Sequence, residues 1–250
     1  MTALRTRLHV EAPLAAGATV ALDADRAHYL LHVLRLKPGA AVALFNGRDG
    51  EWRASLAEAG KRGAALAVEA QLRPQAAEPD LWLCFAPIKS GRIDFLAEKA
   101  GELGAAVLQP VLTRHTDVAR VNTDRLRANA REAAEQCERL SVPAVQEPVD
   151  LARLLAVWDS QRILYVCSES GSAPPFAEVL AARAPGPAAV MIGPEGGFAR
   201  LELDELARHP FVLRVGLGPR ILRAETAAVA ALACWQALHG DWTAPPPHRG

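Results

Sequence analysis

The sequence predicts an α/β protein in which a small N-terminal β-barrel, residues 1–73, precedes a larger domain, residues 81–240, built on a mostly parallel sheet. Three observations carry this prediction. The N-terminal part alternates short apolar runs with turn residues, which is typical of short strands. Strand and helix patterns alternate in the second part. Two glycine-bearing loops near the C-terminus each follow a short apolar run.

In the N-terminal domain, apolar or alternating runs predict strands at 19–22, 41–45, 52–56 and 64–69. The sequence NGRDG at 46–50 is a turn signal and predicts a hairpin between the second and third strands. One helix is expected before that hairpin, with Asp25 as its N-cap and apolar residues following at helical spacing. Residues 74–80, PQAAEPD, form a polar linker containing two prolines, which we take as the domain boundary.

The second domain begins with a buried strand and a helix that ends at Gly104, followed by another strand, which together predict a βαβ unit. A long helix is expected next, capped by Asn122 or Thr123 and continuing to Leu140. Further expected elements follow in chain order. The predicted strands are 81–86, 105–110, 162–167, 188–192 and 211–215, and the last predicted helix is 226–238. Residues 241–250 are expected to be a flexible tail.

Composition excludes several classes of protein. The formal net charge is +0, so no global basic charge indicates nucleic-acid binding. The four cysteines form no CxxC pair and have no histidine at metal-ligand spacing, so we expect reduced thiols and no metal site. The chain shows neither a signal peptide nor an apolar run of membrane-spanning length, so a cytoplasmic protein is expected.

Three loops follow predicted strands at 168–171, 193–197 and 217–223. Because the carboxyl ends of parallel strands share one edge of a sheet, these loops should lie together, where ligands bind in open α/β sheets. Their glycines could alternatively do no more than form tight turns. Neither a Walker A loop nor a GxGxxG fingerprint is present. The residues alone therefore indicate a small-molecule site at strand ends.

Five segments carry a family resemblance that covers nearly the whole chain: IGPEGGF, LGPRILRAETAA, EQCERLSVP, KSGRIDFLAEKAGELGAAVLQPVLTRH and HYLLHVLRLKPGAAVALFNGRDGEW. They resemble the RsmE family of the SPOUT superfamily, methyltransferases that modify N3 of a uridine in 16S ribosomal RNA. The resemblance implies a PUA-like RNA-binding barrel in residues 1–73. It also implies a SPOUT methyltransferase domain with a C-terminal trefoil knot in residues 81–240.

The resemblance implies S-adenosylmethionine as the cofactor, held in a bent shape by the three loops. Glycines would be needed there because a Cβ atom would fill the space of the adenine or ribose. The implied cofactor-binding residues are Ser168, Ile192, Gly193, Pro194, Glu195, Gly196, Gly197, Leu217, Gly218, Ile221 and Leu222.

The implied reaction must activate a weak nucleophile, because uridine N3 carries a proton at pH 7. A positioned base accelerates such a step by about 10²–10⁴-fold, and a cation near O2 or O4 stabilises the developing anion. Arg220 and Arg223 are the candidate cations. Glu225 or Glu195 could be the base, or could orient an arginine. Glu225 could equally be a first-turn acid that favours the helix dipole.

The resemblance also implies a set of residues that contact the substrate, although each could instead be an ordinary exposed or helix-terminal residue. The implied RNA-contacting residues are Arg5, Arg7, His28, Arg35, Lys89, Arg92, Arg114 and Arg139. His115 stands where the family more often has Ser or Cys, so it receives no role. The family further implies a homodimer through the knot region, with the helix 226–238 and Trp235 as the packing face. The partner's N-terminal domain would complete the site.

Three rival functions stay open. One is a SPOUT methyltransferase that acts on another RNA, either a tRNA base or a ribose hydroxyl. Another is an RNA-binding protein without catalysis, which intact glycine loops and both arginines disfavour. The third is a phosphate-binding hydrolase that uses GPEGG to hold an anion, but the sequence offers no nucleophile and base pair for it.

Overall fold

The computed structural model describes residues 4–60, 63–89, 91–118, 120–169 and 173–245. By its internal contacts the chain divides into two compact units. The first unit comprises Met1–Ala77 and Ala134–Val142, and the second comprises Glu78–Ala133 and Pro143–Gly250.

The first unit is a five-stranded sheet with one helical segment. Its strands are β1 (Arg7–His9), β2 (Thr19–Leu22), β3 (Ala41–Phe45), β4 (Glu51–Gly60) and β5 (Gly63–Arg73), and its helix is α1 (Ala24–His28), which continues into a π-helical turn (Tyr29–Val33). The sheet order is β1-β3-β4-β5-β2, with only β1 and β3 parallel among these pairs. Apolar side chains from the sheet and from the helical segment, among them Leu30, Leu44 and Leu66, form its core.

The predicted hairpin at 46–50 is confirmed. The side-chain oxygen of Asn46 accepts hydrogen bonds from the backbone N–H groups of Arg48 at 3.0 Å and Asp49 at 2.9 Å. Gly47 and Gly50 both have positive φ, 75° and 80°, a conformation that glycine adopts without steric cost. The Asn side chain thus builds the turn from its own backbone neighbours.

The predicted N-cap of the first helix was wrong by two residues. Asp23, not Asp25, is the N-cap of α1, and its carboxylate accepts from the backbone N–H of Arg26 at 2.8 Å. The helix widens into the π-helical turn, which buries Leu30 completely. Arg35 follows with a φ of 53°, in the left-handed region that few side chains adopt.

The second unit contains a parallel sheet, as predicted. Its strands are β6 (Leu81–Phe85), β7 (Val107–Leu112), β8 (Ala144–Val145), β9 (Val149–Asp150), β10 (Ile163–Cys167), β11 (Ala188–Ile192) and β12 (Val212–Val215). The order is β12-β10-β11-β6-β7-β8, with β9 paired to β7, and every pairing is parallel. All five residues of β11 are buried, as expected for an inner strand covered on both faces.

Six further helices follow α1 along the described part of the chain. They are α2 (Arg92–Glu102), α3 (Thr123–Gln136), α4 (Leu151–Ala156), α5 (Phe176–Ala181), α6 (Arg200–Leu206) and α7 (Ala224–His239). Neither α4 nor α5 was predicted, because six residues are too few for a helical period to stand out. Asn122 accepts from the backbone N–H of Arg125 at 3.0 Å, so it caps α3.

The prediction that the long helix continues to Leu140 was wrong. α3 ends at Gln136, and Glu138 has a φ of 63°. The guanidinium of Arg7 donates to the carbonyls of Ala134, Glu135 and Arg139. This side chain satisfies carbonyls that further helical turns would otherwise bond. The end of the helix is thus set by a residue far away in sequence.

The expectation that Trp235 contributes to a partner-facing surface was wrong, since its side chain is buried at 2 % exposure within its own chain. Beside it, Gln236 is buried at 1 % exposure and donates to the carbonyl of Leu103 at 2.9 Å. The Gln236 carboxamide oxygen also accepts from the backbone N–H of Asp241 at 3.1 Å. One buried amide thus joins α7 to the end of α2.

Within the described residues, no helix has the length and apolar character needed to cross a membrane. The same residues contain no group of three or more His, Cys, Asp or Glu side chains able to hold a metal ion. The last five residues of the predicted tail, 246–250, lie outside the described part of the chain, and the trefoil knot stays a prediction.

Candidate functional site

A cavity of about 440 Å³ lies at the carboxyl ends of β10, β11 and β12. These three strands are neighbours in the parallel sheet, so their exit loops converge on one edge. The lining residues are Cys167, Ser168, Glu169, Ile192, Gly193, Pro194, Glu195, Gly197, Phe198, Leu203, Leu217, Gly218, Pro219, Arg220, Ile221, Leu222, Arg223, Ala224 and Ala227. The convergence of three loops was therefore correctly predicted.

Every residue predicted to bind the cofactor lines this cavity except Gly196. A Cβ atom on Gly196 would instead lie 3.2 Å from the Cβ of His115. All of the cofactor assignments stay predictions. Gly196 differs from the others because it packs against His115 and does not line the cavity.

The expected reason for the glycines, space for the adenine or ribose, stays a prediction, and packing within the chain gives Gly193 and Gly196 a further reason. A Cβ on Gly193 would meet the ring of Phe198 at 2.9 Å. Gly197 and Gly218 differ, since a Cβ on either would meet no atom within 4 Å, while their φ values are 66° and 96°. Their positive φ values favour glycine at both positions. The absence of a Cβ atom leaves open space beside the cavity that both residues line.

Seven lining residues were missed by sequence reasoning: Cys167, Glu169, Phe198, Leu203, Pro219, Ala224 and Ala227. Cys167 is the last residue of β10, and Glu169 lies two positions beyond it, so their positions at a strand end were the available signal. Burial, together with the nearby Cys234, raises the pKa of the Cys167 thiol to about 12. The thiol is therefore protonated at neutral pH and forms part of the apolar wall.

The cavity carries charges of both signs. Arg220 and Arg223 are exposed, and among the described residues neither forms an ion pair. Glu169 and Glu195 are exposed carboxylates on the other two loops. The cavity can thus accept a ligand that bears both positive and negative groups.

Glu225 does not line the cavity. It lies in the first turn of α7, its side chain is 14 % exposed, and its carboxylate is 3.7 Å from the Nε of Arg92. The structure thus brings together a predicted catalytic residue and a predicted RNA-contacting residue.

Ser168 forms two hydrogen bonds with the neighbouring strand β12. Its backbone N–H donates to the carbonyl of Val215 at 3.0 Å, and its hydroxyl accepts from the guanidinium of Arg214 at 3.1 Å. Arg214 lies on β12, so this contact fixes the exit of β10 against β12. The adjoining residues 170–172 lie outside the described part of the chain.

The residues predicted to contact RNA are distributed over both units. Arg5, Arg7, His28, Arg35 and Arg139 belong to the first unit, whereas Lys89, Arg92 and Arg114 belong to the second. All except Arg7 and Arg139 are exposed. The ring of His28 lies beside that of His32, with centroids 4.9 Å apart and planes tilted by 35°.

Arg7 is engaged within the first unit. It pairs with Glu51, lies over the ring of Phe45 at 4.4 Å and donates to three carbonyls at the end of α3. Arg73 pairs with the same carboxylate at 2.7 Å. The contact of Arg7 with RNA stays a prediction, but this geometry favours a structural role.

Two further predicted RNA contacts have partners in the chain. The guanidinium of Arg139 donates to the hydroxyl of Ser141 at 3.4 Å, and its carbonyl accepts from Arg7. Arg114 donates its backbone N–H to the carboxylate of Glu202 at 2.9 Å, which leaves its side chain exposed.

Known proteins resemble this chain over nearly its whole length. An RNA methyltransferase domain model matches residues 76–236, and an RNA methyltransferase PUA domain model matches residues 22–69. Ribosomal RNA small subunit methyltransferase E of Rickettsia conorii is 32 % identical over 228 residues, covering 91 % of this chain and 93 % of that protein. The protein of the same name from Mycobacterium bovis is 31 % identical over 238 residues, covering 91 % and 90 %.

Two solved structures share the fold. Ribosomal RNA small subunit methyltransferase E from Neisseria gonorrhoeae, bound to S-adenosylmethionine, has a TM-score of 0.86 and 28 % identity, covering 95 % of this chain and 99 % of that chain. A methyltransferase from Legionella pneumophila, also in complex with S-adenosylmethionine, has a TM-score of 0.85 and 27 % identity, covering 96 % and 100 %.

Proposed function

The chain belongs to the ribosomal RNA small subunit methyltransferase E family, and from that premise we propose that it methylates N3 of a specific uridine in 16S ribosomal RNA. The methyl donor is S-adenosylmethionine, which is bound in two solved structures of the same fold. The observation that carries the proposal is the cavity at the three strand ends, bordered by two arginines that form no ion pair among the described residues.

The residues present fit this cofactor. A volume of about 440 Å³ lies within the range of small-molecule sites. Ile192, Leu217 and Leu222 supply apolar walls for the adenine, and the carboxylate of Glu169 suits the positive ammonium group of the cofactor. The bound cofactor supplies an electrophilic methyl group on its sulfonium.

The arginines perform the electrostatic part of the reaction in this proposal. Arg220 and Arg223 border the cavity and have no ion-pair partner in the described part of the chain, so their guanidinium groups are available to a substrate. Placed near O2 or O4, they stabilise the anion that develops as N3 loses its proton. Such a donor contributes about 3 kcal/mol to transition-state stabilisation.

The two candidate carboxylates receive different roles. Glu225 faces Arg92 and does not line the cavity, which supports a role in orienting that arginine. Glu195 lines the cavity on the GPEGG loop, which supports it as the group that accepts the N3 proton. A base in this position accelerates the transfer by about 10²–10⁴-fold.

We propose that residues 1–73 serve as the RNA-binding domain, 74–80 as the linker and 81–240 as the methyltransferase domain, supported by the PUA and methyltransferase matches. Exposed basic residues on each unit would contact phosphates, as is usual for nucleic-acid binding. The proposed contacts with exposed side chains are Arg5, His28, Arg35, Lys89, Arg92 and Arg114.

A homodimer is part of the proposal. Between 226 and 238, α7 contains only Thr226 and Gln236 as polar residues, so its outward side also carries apolar groups. Leu238 and Trp242 are 47 % and 52 % exposed at its end. Burial of these groups against a second copy would stabilise the pair.

A ribosomal substrate supports a cytoplasmic location for the proposed enzyme.

Transfer of a labelled methyl group tests the function. The acceptors are small ribosomal subunits from a strain without this gene, naked 16S RNA and bulk tRNA. We expect label on the ribosomal acceptor, mapped to N3 of one uridine and absent from tRNA.

The rival functions give different results in the same assay. Label on tRNA or on a ribose hydroxyl would keep the methyltransferase and discard the ribosomal uridine. Measurable binding of S-adenosylmethionine without label on any acceptor would favour an RNA-binding protein without catalysis.

A further inference from the structure

The loop that follows β7 contacts the GPEGG loop. His115 lies in this loop, and its Nδ1 atom is 3.1 Å from the carbonyl oxygen of Gly196 and 3.0 Å from that of Gly197. Carbonyl oxygens only accept hydrogen bonds, so Nδ1 carries the hydrogen and donates to both. The neutral Nδ1–H tautomer and the imidazolium can both make this contact.

The packing of the ring agrees with the hydrogen bonds. A Cβ atom on Gly196 would come within 3.2 Å of the His115 Cβ and 3.6 Å of its Cγ, so the glycine backbone lies directly against the imidazole. Gly197, the next residue, lines the cavity, whereas Gly196 does not. The same short segment therefore contacts both His115 and the cofactor space.

The turn that carries His115 is itself fixed. The backbone N–H of Thr113 donates to the hydroxyl of Thr116 at 3.0 Å, and the backbone N–H of Thr116 donates to the carbonyl of Thr113 at 3.1 Å. The carboxylate of Glu202 accepts from the backbone N–H groups of Arg114 at 2.9 Å and Ala199 at 2.8 Å. The imidazole is thus presented from a closed turn that is also joined to the start of α6.

We infer that His115 is a positioning residue that holds the Gly196–Gly197 backbone in the conformation that accepts S-adenosylmethionine. A loop with three glycines in five residues loses much conformational entropy when it is ordered. Hydrogen bonds that order it before the cofactor arrives reduce that loss at binding and strengthen affinity. This inference rests on the proposed function, because it assumes that the cavity binds S-adenosylmethionine.

Three substitutions at position 115 separate the hydrogen bond from the bulk of the ring. His115→Asn places an amide N–H donor at the same number of bonds from the backbone as Nδ1. His115→Ala removes the donor, and His115→Asp replaces it with an acceptor that repels both carbonyls. His32→Ala is the control, because His32 is an exposed histidine of the first unit.

Calorimetric titration of S-adenosylmethionine into each full-length variant is the test. We expect His115→Ala to raise Kd about 3- to 10-fold, the usual effect of losing one to two hydrogen bonds. His115→Asp should raise it further, whereas His115→Asn and His32→Ala should match the unmodified protein. In methyl-transfer assays, the KM for S-adenosylmethionine should rise in His115→Ala while kcat and the KM for RNA stay unchanged.

Hydrogen exchange provides a readout that does not depend on the cofactor. Peptides covering 193–199 should exchange faster in His115→Ala than in His115→Asn, with the rest of the second unit unchanged. Exchange that rises throughout the second unit would show general destabilisation and would overturn a positioning role.

The remaining outcomes are also decisive. An unchanged Kd in His115→Ala would overturn the inference, and so would equal weakening by Ala and Asn. Failure of the unmodified protein to bind S-adenosylmethionine would instead overturn the proposed function. A Kd that rises from His115→Asn to His115→Ala, and again to His115→Asp, supports His115 as the residue that orders the loop.

Discussion

The carboxylate of Glu225 lies 3.7 Å from the guanidinium Nε of Arg92. Glu225 lies in the first turn of α7, where the helix dipole favours a negative charge, whereas Arg92 begins α2, where the dipole disfavours a positive one. The carboxylate therefore compensates for an unfavourable position of the arginine. This pairing suggests that Glu225 acts through Arg92 and not directly on the substrate.

A double-mutant cycle on this pair separates the two roles of Glu225. If it orients Arg92, Glu225→Gln and Arg92→Ala remove the same contact, and the double variant should be no worse than Arg92→Ala alone. The coupling energy expected for a partly exposed pair is about 0.5–1 kcal/mol. The measurement is kcat/KM for all four proteins. A loss of about 10²-fold or more in Glu225→Gln, independent of Arg92, would identify Glu225 as the base.

Arg223→Ala should reduce kcat about 100-fold, because it removes a cation that acts on the developing charge of the transition state. The Kd for S-adenosylmethionine should change by no more than about twofold, since this interaction is absent from the ground state. Single-turnover transfer and calorimetry measure the two quantities. Arg208→Ala is the control, because Arg208 pairs only with Glu205 among the described residues. Equal losses of rate and affinity would make Arg223 a cofactor-binding residue instead.

Gly197→Val should weaken binding of S-adenosylmethionine more than tenfold. Valine at a φ of 66° is strained by about 1–2 kcal/mol, and its side chain would enter space beside the cavity. Gly186→Val is the matched control, because a Cβ there also meets no atom within 4 Å while the backbone is not left-handed. Calorimetry together with a thermal melt checks both variants. Unchanged affinity in Gly197→Val would remove this glycine from the cofactor site.

Arg35 and Arg7 should respond differently to removal of their charge. Arg35 is exposed, so Arg35→Ala should weaken RNA binding and lower the slope of log K against log salt by about 0.7–0.9.

Arg7 is engaged inside the first unit, so Arg7→Ala should leave the slope unchanged and destabilise the protein by about 3 kcal/mol. RNA binding measured at several salt concentrations gives the slope for both variants, and denaturant unfolding gives their free energies of unfolding. A reduced slope in Arg7→Ala would restore it as a phosphate contact.

Glu51 should make the first unit sensitive to acid. Burial alone would raise its pKa, but hydrogen bonds from Arg73 and Arg7 outweigh burial and hold the pKa below its ordinary value of 4.5. A lowered pKa in the folded state means that this stabilisation is fully present above pH 4.5. It is lost as the pH falls through the lower, folded value.

We therefore expect Glu51→Gln to be less stable than the unmodified protein at pH 7, by about 1.5–3 kcal/mol, because its hydrogen bonds lose the charged acceptor. The difference should shrink below pH 4.5 as the carboxylate of the unmodified protein becomes protonated. Denaturant unfolding of both proteins at several pH values between about 3 and 7 measures the free energy of unfolding and hence this difference. A constant difference across the range would exclude Glu51 as the acid-sensitive group.

Short-range patterns were sufficient for much of the fold. The strands at 19–22, 41–45 and 188–192 have the predicted bounds, because each is a short apolar run closed by turn residues. The convergence of three loops also followed from local information, since parallel strands place their carboxyl ends at one edge. The family motifs then indicated which chemistry that edge performs.

The tertiary structure alone decided which loop residues face the cavity and which face another part of the chain. His115 and Gly196 are 81 positions apart in sequence, and their contact depends on the order of the strands in the sheet. Arg7 ends α3 by binding carbonyls more than a hundred residues away. A sequence pattern reports the propensity and burial of a segment with its near neighbours. The directions of the His115 and Arg7 side chains depend on partners that are distant in sequence, so they are determined only when the chain has folded.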